Sequence, residues 1–274
     1  MGCNPSSLRN QFKDPAIPIS KSIHSASPVM SSYLVTGASR GLGAEFVRQL
    51  VLSPKSTIVY AAARNPHSSA DLKEIKKIDK DGKLVFLTID IDDEASITAA
   101  VKAVEQQSGG LDVLINCAGI ASLQKIQDLT GEELLRLLKT NVVGTHLVTR
   151  ALLSLIKKGS GKKIVNMCAL FYCSWINTYS SSYTGSIGGS NALRCGGYAT
   201  SKTALNAITV RWAKEHQDLA IFIVHPGWVK TDMGGSDAAL EKDVSIKGML
   251  EVIEKTGREG SGTSLGYDGS TLQW

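Results

Sequence analysis

An apolar segment, a glycine-rich turn and an amphipathic segment follow one another early in the chain. Residues 33–35 read Tyr-Leu-Val, and residues 36–43 read Thr-Gly-Ala-Ser-Arg-Gly-Leu-Gly. Large apolar residues then recur at helical spacing at Phe46, Val47, Leu50 and Val51. Glycine lets a backbone approach a phosphate closely, and the N-terminus of a helix offers N–H groups and a favourable dipole. The sequence therefore predicts a strand–turn–helix unit that cradles a dinucleotide, although its glycines are spaced G-x-x-x-G-x-G and not G-x-G-x-x-G.

Apolar strand patterns and amphipathic helix patterns alternate along the rest of the chain. Further strands are predicted at residues 57–63, 84–89, 113–115, 163–167, 220–224 and 264–267. Helices are predicted at residues 67–78, 94–107, 130–155, 198–215 and 239–255. Such alternation without an intervening linker is typical of an α/β protein with a doubly wound parallel sheet. We therefore predict one Rossmann-type domain of about seven strands, from residue 32 to residue 274.

Composition narrows the class of protein further. The chain has 274 residues, of which 43% are hydrophobic and 20% charged, and this fits a single large α/β domain. The net charge is +5, but no basic run carries interleaved aromatics, so no nucleic-acid partner is expected. The five cysteines form no CxxC pair and no metal-ligand spacing, which suits free thiols in a reducing compartment. No apolar run reaches the roughly 18 residues that span a bilayer. A cytoplasmic protein without a membrane span is expected.

Residues 1–31 differ from the remainder in composition. They are rich in serine, proline, lysine and asparagine and show no periodicity, which predicts a disordered tail. A second interpretation concerns the first six residues, which fit the M-G-x-x-x-[ST] pattern for N-myristoylation. In that case Gly2 would carry the acyl chain, and Cys3 could take another.

Two arginines indicate which dinucleotide the chain binds. In dinucleotide-binding folds the end of the second strand meets the adenosine ribose, where an acid would repel a 2′-phosphate. Here that position offers Arg64, and Arg40 lies in the glycine turn. Each could be an ordinary solvated arginine, but together they favour NADP(H) as the cofactor. Asp90, at the end of the third predicted strand, lies where the adenine would be.

The segment Tyr-Ala-Thr-Ser-Lys at residues 198–202 supplies a candidate acid/base pair. Tyr198 and Lys202 are four residues apart and therefore share one helix face. A tyrosine has an unperturbed pKa of about 10, and a nearby ammonium stabilises its phenolate. Many helices contain this pair by chance, so its catalytic meaning depends on the cofactor site. Asn141 lies inside the helix that begins with a capping box at Thr130, where it is either a tolerated polar contact or a placed functional group.

These features combine with others in a specific order. The motifs are Thr36-Gly-x-x-x-Gly-x-Gly43, Asn116-x-Ala-Gly119, Asn141, Tyr198-x-x-x-Lys202 and Pro226-Gly227. Together they resemble the short-chain dehydrogenases/reductases, over essentially everything after residue 31. Residues 225–235 and 267–274 are similar to the C-factor-like carbonyl reductases, a subgroup that includes ketoreductases of aromatic polyketide pathways.

The resemblance implies a reaction and a role for each motif. The reaction would be NADPH-dependent reduction of a ketone or aldehyde in a small-molecule substrate. Tyr198 would exchange the proton, Lys202 would bind the nicotinamide ribose and lower the pKa of Tyr198, and Asn141 would hold a water linked to Lys202. Thr231 would contact the carboxamide of the nicotinamide. The implied cofactor-binding residues are Gly37, Ser39, Arg40, Gly41, Leu42, Gly43, Arg64, Asp90, Asn116, Ala118, Gly119, Tyr198, Lys202, Pro226, Gly227, Val229 and Thr231.

Two departures from the family pattern stand out. Cys117 replaces the second asparagine of the Asn-Asn-Ala-Gly motif. The family's catalytic serine normally follows the strand at 163–167 directly, but here residues 168–180 intervene. Ser182 then stands sixteen residues before Tyr198, as the subgroup's serine does, and it is the predicted catalytic serine. Ser181 and Ser186 are the alternatives.

The inserted residues 168–180 leave several alternatives open. They are rich in aromatic residues and admit three interpretations: a flap over the substrate, an interface, or a segment that the natural mature protein lacks. If they displace Ser182, the chain would bind NADP(H) without catalysis. Substrate contacts are expected around residues 183–197 and after Pro226, including Trp228 and Met233. The resemblance further implies a homodimer or homotetramer, although the exposed faces of the predicted helices show no decisive pattern.

Overall fold

A seven-stranded parallel sheet forms the centre of the chain. The computed structural model describes residues 31–168, residue 187 and residues 195–273. The strands are β1 Ser31–Thr36, β2 Ser56–Ala63, β3 Leu84–Thr88, β4 Val113–Asn116, β5 Lys163–Met167, β6 Ala220–His225 and β7 Ser264–Gly266. Their order across the sheet is β3-β2-β1-β4-β5-β6-β7, with every neighbouring pair parallel. The predicted doubly wound sheet is confirmed.

Helices pack against both faces of this sheet. They are α1 Gly41–Leu52, α2 Ala70–Ile78, α3 Glu94–Ser108, α4 Gly131–Leu138, α5 Thr145–Lys158, α6 Gly196–Glu215 and α7 Lys242–Lys255. One core layer holds buried residues of α1, α2 and α7, and the other holds those of α3, α5 and α6. Strand β6 serves both layers, since Phe222 lies in the first and Ile221 in the second. Burial on both faces explains its unbroken apolar run.

The start of α7 differs from the prediction. The sequence pattern placed it near residue 239, whereas the helix begins at Lys242. The backbone of Leu240 is occupied by a bridge, because its N–H donates to the Trp228 carbonyl and its carbonyl accepts from the Lys230 N–H. A residue bonded in this way is not available to the first turn of a helix.

The predicted helix at residues 130–155 consists of three parts. Helix α4 passes into α5 through a π-helical turn over Lys139–Gly144. Thr130 caps α4 as predicted, its hydroxyl accepting from the Glu133 N–H at 3.2 Å. Turns of this kind are rare inside helices and occur frequently at functional sites. Asn141 lies within the turn.

The strand order reverses between β1 and β4, and this determines where a ligand can bind. From that point the chain runs outward through β2 and β3 on one side and through β5 to β7 on the other. A crevice opens beyond the carboxyl ends of the strands at such a reversal. The glycine turn after β1 and residues 117–119 after β4 both lie there.

The start of the described chain lies close to the predicted domain boundary. Strand β1 begins at Ser31, one residue earlier than the predicted boundary. The rest of the predicted tail, with the acylation candidates Gly2 and Cys3, lies outside the described residues. In the part of the chain that the structure describes, no helix has the length and apolar character needed to cross a membrane.

Candidate active site

The glycine turn packs closely against the residues that follow β4. Gly37 has φ +69°, and a Cβ at that position would lie 2.7 Å from the Ala118 Cα. A Cβ at Gly43 would lie 2.2 Å from the Gly37 carbonyl oxygen. The Thr36 hydroxyl accepts from the N–H groups of Cys117 and Ala118, each at 3.1 Å. No residue with a side chain could replace Gly37 or Gly43 without moving backbone.

Residues 39–42 complete the glycine turn. Gly41 has φ +60°, and the space where its Cβ would stand is open. The Ser39 carbonyl accepts from the Ser69 hydroxyl at 2.6 Å, and Leu42 packs against the core below the turn. Arg40 precedes α1 with its side chain 78% exposed. The turn is therefore fixed on its inner side by the Ser69 bond and by the packing of Leu42. Its outer side faces solvent at Gly41 and Arg40.

The two arginines of the predicted ribose site are both exposed. Arg64 directly follows β2, and Arg40 pairs with Asp232 at 3.0 Å. Asp90 is half-buried, and its carboxylate accepts from the Asp92 N–H at 3.0 Å. The residues that directly follow β2, 64–69, include no acid.

Tyr198 and Lys202 lie on the buried face of α6. Tyr198 is 2% exposed and Lys202 is 5% exposed. The Lys202 Nζ donates to the Met167 carbonyl at 2.9 Å, and it lies 5.8 Å from the centre of the Tyr198 ring. Because Met167 is the last residue of β5, this bond holds the lysine at the carboxyl edge of the sheet. The predicted sharing of one helix face is confirmed.

Burial dominates the protonation of this pair. Loss of solvent raises the pKa of Tyr198 and lowers the pKa of Lys202. The direction for Tyr198 is opposite to the expected lowering by Lys202, because burial removes water from the phenolate and so disfavours the charged form. Cys117, which replaces the family's asparagine, is also desolvated. Burial raises the pKa of its thiol to about 12, although the Lys202 charge opposes the shift. A tyrosine in this state keeps its proton at neutral pH.

Asn141 joins the loop after β4 to α6. Its Oδ1 accepts from the Ile120 N–H at 2.8 Å, and its Nδ2 donates to the Ile120 carbonyl and to the Ser201 hydroxyl, each at 2.9 Å. The Ser201 hydroxyl in turn donates to the Tyr198 carbonyl at 2.7 Å. A Cβ at Gly119 would lie 3.2 Å from the Asn141 Oδ1 and 3.7 Å from the Lys202 Nζ. The Asn141 side chain is therefore occupied by protein partners, and its role with a water beside Lys202 stays a prediction.

Residues after β6 form the other wall of the crevice. The Pro226 carbonyl accepts from the Ser245 hydroxyl at 2.6 Å, and the Gly227 N–H donates to the His225 Nδ1 at 2.9 Å. Gly227 has φ +77°, and a Cβ there would lie 3.0 Å from the Tyr267 ring. This contact connects the two subgroup motifs, which are far apart in sequence.

Comparison with known proteins agrees with this geometry. A family model described as short chain dehydrogenase matches residues 32–242. The chain belongs to the short-chain dehydrogenase/reductase family. As a member of that family, it is an oxidoreductase by descent.

Individual relatives include two solved carbonyl reductases and C-signal. The chain is 30% identical to the NADPH-bound carbonyl reductase from chicken fatty liver, covering 90% of this chain and 100% of that one, with a TM-score of 0.80. It is 33% identical to the carbonyl reductase Sniffer of D. melanogaster, covering 89% and 100%, with a TM-score of 0.79. It is 31% identical to C-signal of Myxococcus xanthus over 61% of this chain and 95% of that one. The predicted similarity to this branch is confirmed.

In this short-chain dehydrogenase/reductase, the side chain of Asn116, a predicted cofactor residue, bonds within the fold. The Asn116 side chain is 4% exposed, and its Nδ2 donates to the Thr149 hydroxyl at 3.1 Å and to the Asn166 Oδ1 at 2.8 Å. The Asn166 Nδ2 continues to the Thr209 hydroxyl at 2.8 Å. This buried chain of bonds joins β4 and β5 to α5 and α6. The Asn116 Nδ2 is therefore committed to this network, while its Oδ1 is buried without a hydrogen-bond partner among the described residues. No sequence pattern indicated that Thr149, Asn166 and Thr209 would join it.

The segment beyond Gly227 is a folded turn. Val229 is buried and bridges to Leu240. The Thr231 hydroxyl accepts from the Gly234 N–H at 3.0 Å, and the Trp228 Nε1 donates to the Gly234 carbonyl at 2.8 Å. The predicted carboxamide contact, Thr231, is thus held within this turn.

Ser182, its alternatives Ser181 and Ser186, and residues 169–180 lie outside the described residues. So does most of the expected substrate region at residues 183–197. Cys168 and Cys195, on either side, are buried.

Proposed function

We propose that this chain is an NADPH-dependent carbonyl reductase with Tyr198 as the proton donor. One observation carries the proposal: a buried Tyr198–Lys202 pair stands at the carboxyl edge of β5, beside the crevice where the strand order reverses. The solved relatives support it, because two of them are carbonyl reductases and one of these has NADPH bound.

The residues present fit a dinucleotide. The absence of side chains at Gly37 and Gly43 lets the turn pack directly against backbone, and the position in front of Gly41 is open. Gly119 likewise leaves room between the loop after β4 and the Lys202 Nζ. Residues 37–43 would hold the pyrophosphate at the N-terminus of α1. Ala118, Gly119, Lys202 and Thr231 would hold the nicotinamide half.

The preference for NADPH over NADH would come from Arg40 and Arg64. Both guanidiniums are exposed, and no acid stands at the end of β2 to repel a phosphate. Arginine binds phosphate oxygens through two parallel N–H groups, which makes it well suited to a 2′-phosphate.

Bound NADPH supplies the hydride, and the protein supplies the proton and the geometry. Tyr198 keeps its hydroxyl proton at neutral pH because burial raises its pKa, so it can donate to the oxygen of a carbonyl substrate. The Met167 carbonyl holds Lys202 beside it. Asn141 and Ser201 fix the backbone at Tyr198 and at Ile120. Ser182 would share the carbonyl oxygen with Tyr198.

The test is NADPH oxidation with a panel of reactive ketones, aldehydes and quinones. Tyr198→Phe should lose about 100- to 10,000-fold in kcat/KM, the usual contribution of a general acid, while still binding NADPH. Tyr60→Phe is the matched control. It removes a tyrosine hydroxyl that donates to the Ser108 hydroxyl at 3.0 Å, and this bond lies away from the crevice. Full activity of Tyr198→Phe would refute the role of Tyr198. NADPH binding by the wild type without turnover on any carbonyl would instead favour the non-catalytic alternative.

A further inference from the structure

An ion pair connects the glycine turn to the segment after β6. Arg40 in the glycine turn and Asp232 after β6 are 192 residues apart in sequence, and their side chains meet at 3.0 Å. Both side chains are highly exposed, at 78% and 84%. The pair therefore joins two elements on opposite sides of the crevice through side chains that remain accessible to solvent.

Asp232 lies in a hydrogen-bonded turn that places it next to Arg40. The Thr231 carbonyl accepts from the Gly235 N–H at 2.9 Å, and the Thr231 hydroxyl accepts from the Gly234 N–H. Below this tip, Trp228 and Leu240 exchange a backbone bond that closes the segment. The position of Asp232 is thus a property of the folded segment and does not depend on a freely moving loop.

Arg40 is the same guanidinium that the proposed function assigns to the 2′-phosphate. Asp232 contacts the Arg40 guanidinium through Nη1, and a phosphate that binds both arms of the fork would need that same N–H group. An exposed ion pair is worth only up to about 1 kcal/mol, so a phosphate of higher charge can displace the carboxylate. The displaced carboxylate would still stand near the phosphate and repel it.

We propose that Asp232 is a specificity-determining residue that competes with the 2′-phosphate of NADP(H) for Arg40. It lowers the affinity for the phosphorylated cofactor and leaves the affinity for the unphosphorylated one unchanged. The inference rests on the proposed function, and it adds a residue that reduces the preference for NADP(H).

The experiment is calorimetric titration with adenosine 2′,5′-bisphosphate and with 5′-AMP, at about 0.01 M and about 1 M salt. Asp232→Asn should bind the bisphosphate about two- to fivefold more tightly at low salt, as expected for loss of an exposed charge contact. The gain should shrink at high salt, where the screening length is about 3 Å. Binding of 5′-AMP should not change.

Two variants make the test specific. Asp237→Asn removes another exposed acid of the same segment, whose carboxylate accepts from the Ser236 hydroxyl, and it should change neither affinity. In an Arg40→Gln background, Asp232→Asn should no longer improve binding of the bisphosphate, because the competition for Arg40 has been removed.

The outcomes separate this inference from the proposed function. If the wild type prefers the bisphosphate but Asp232→Asn binds it equally or more weakly, the role of Asp232 is overturned and NADPH specificity stands. An equal effect on 5′-AMP also overturns it, because that indicates a structural effect. If the wild type shows no preference for the bisphosphate, both proposals fail.

Discussion

The pKa of Tyr198 depends more on its burial than on the lysine one helical turn away. A lysine one turn away favours the phenolate, yet the tyrosine is 2% exposed and its pKa is raised. Desolvation penalises the charged form of both partners, so Tyr198 and Lys202 shift in opposite directions away from ionisation. Tyr198 is therefore protonated over the physiological pH range.

This protonation state predicts the pH dependence of the two reaction directions. Carbonyl reduction needs the protonated phenol, so its Tyr198-dependent kcat/KM should stay level from about pH 6 to about pH 8, below the usual tyrosine pKa of about 10. Alcohol oxidation needs the phenolate and should rise with pH over the same range. Steady-state profiles in both directions check this. A reduction rate that falls tenfold per pH unit near neutrality would contradict it.

At the scale of elements, close packing of the glycine turn explains its sequence. Gly37 and Gly82 share nearly the same backbone angle, φ +69° and φ +67°. A Cβ at Gly37 would meet Ala118 backbone at 2.7 Å, whereas nothing lies within 4 Å of a Cβ at Gly82. Gly37 and Gly82 therefore share the backbone strain of a positive φ, but only Gly37 also needs room for the close approach of the residues after β1 and β4.

Gly37→Ala and Gly82→Ala should differ in a defined way. Gly82→Ala should cost about 1–2 kcal/mol in the free energy of unfolding, the strain of a left-handed residue, and should leave NADPH binding intact. Gly37→Ala should cost clearly more and should also weaken NADPH binding, because backbone must move at the crevice. Urea unfolding and NADPH titration of both variants provide the measurement. Equal losses in the two variants would show that close approach contributes nothing.

For the whole molecule, the strand order brings distant residues to one edge of the sheet. The ends of β1, β4, β5 and β6 lie side by side, so a dinucleotide there would contact several elements of the sheet at once. A ligand that binds only the folded state stabilises it by mass action.

Thermal unfolding should therefore respond to the cofactor. At 100 times its Kd, NADPH should add about 2.7 kcal/mol and raise the Tm by about 5–10 °C for a domain of this size. NADH at the same concentration should raise it less, since it lacks the 2′-phosphate that Arg40 and Arg64 would bind. Differential scanning calorimetry of the full chain gives both values. Equal shifts for the two cofactors would argue against the arginines as the basis of specificity.

The sequence by itself determined the order of the strands and helices and the placing of Tyr198 and Lys202 on one helix. Strand and helix periodicity develops over a few residues, which is why β5 was predicted residue for residue and why Tyr198 and Lys202 share a face. Only the tertiary structure decided the π-helical turn at Asn141, the burial of Asn116 against Asn166, and the pairing of Arg40 with Asp232. These contacts join residues up to 192 positions apart. They depend on the order of strands in the sheet, and local pattern carries no record of which distant side chains that order brings together.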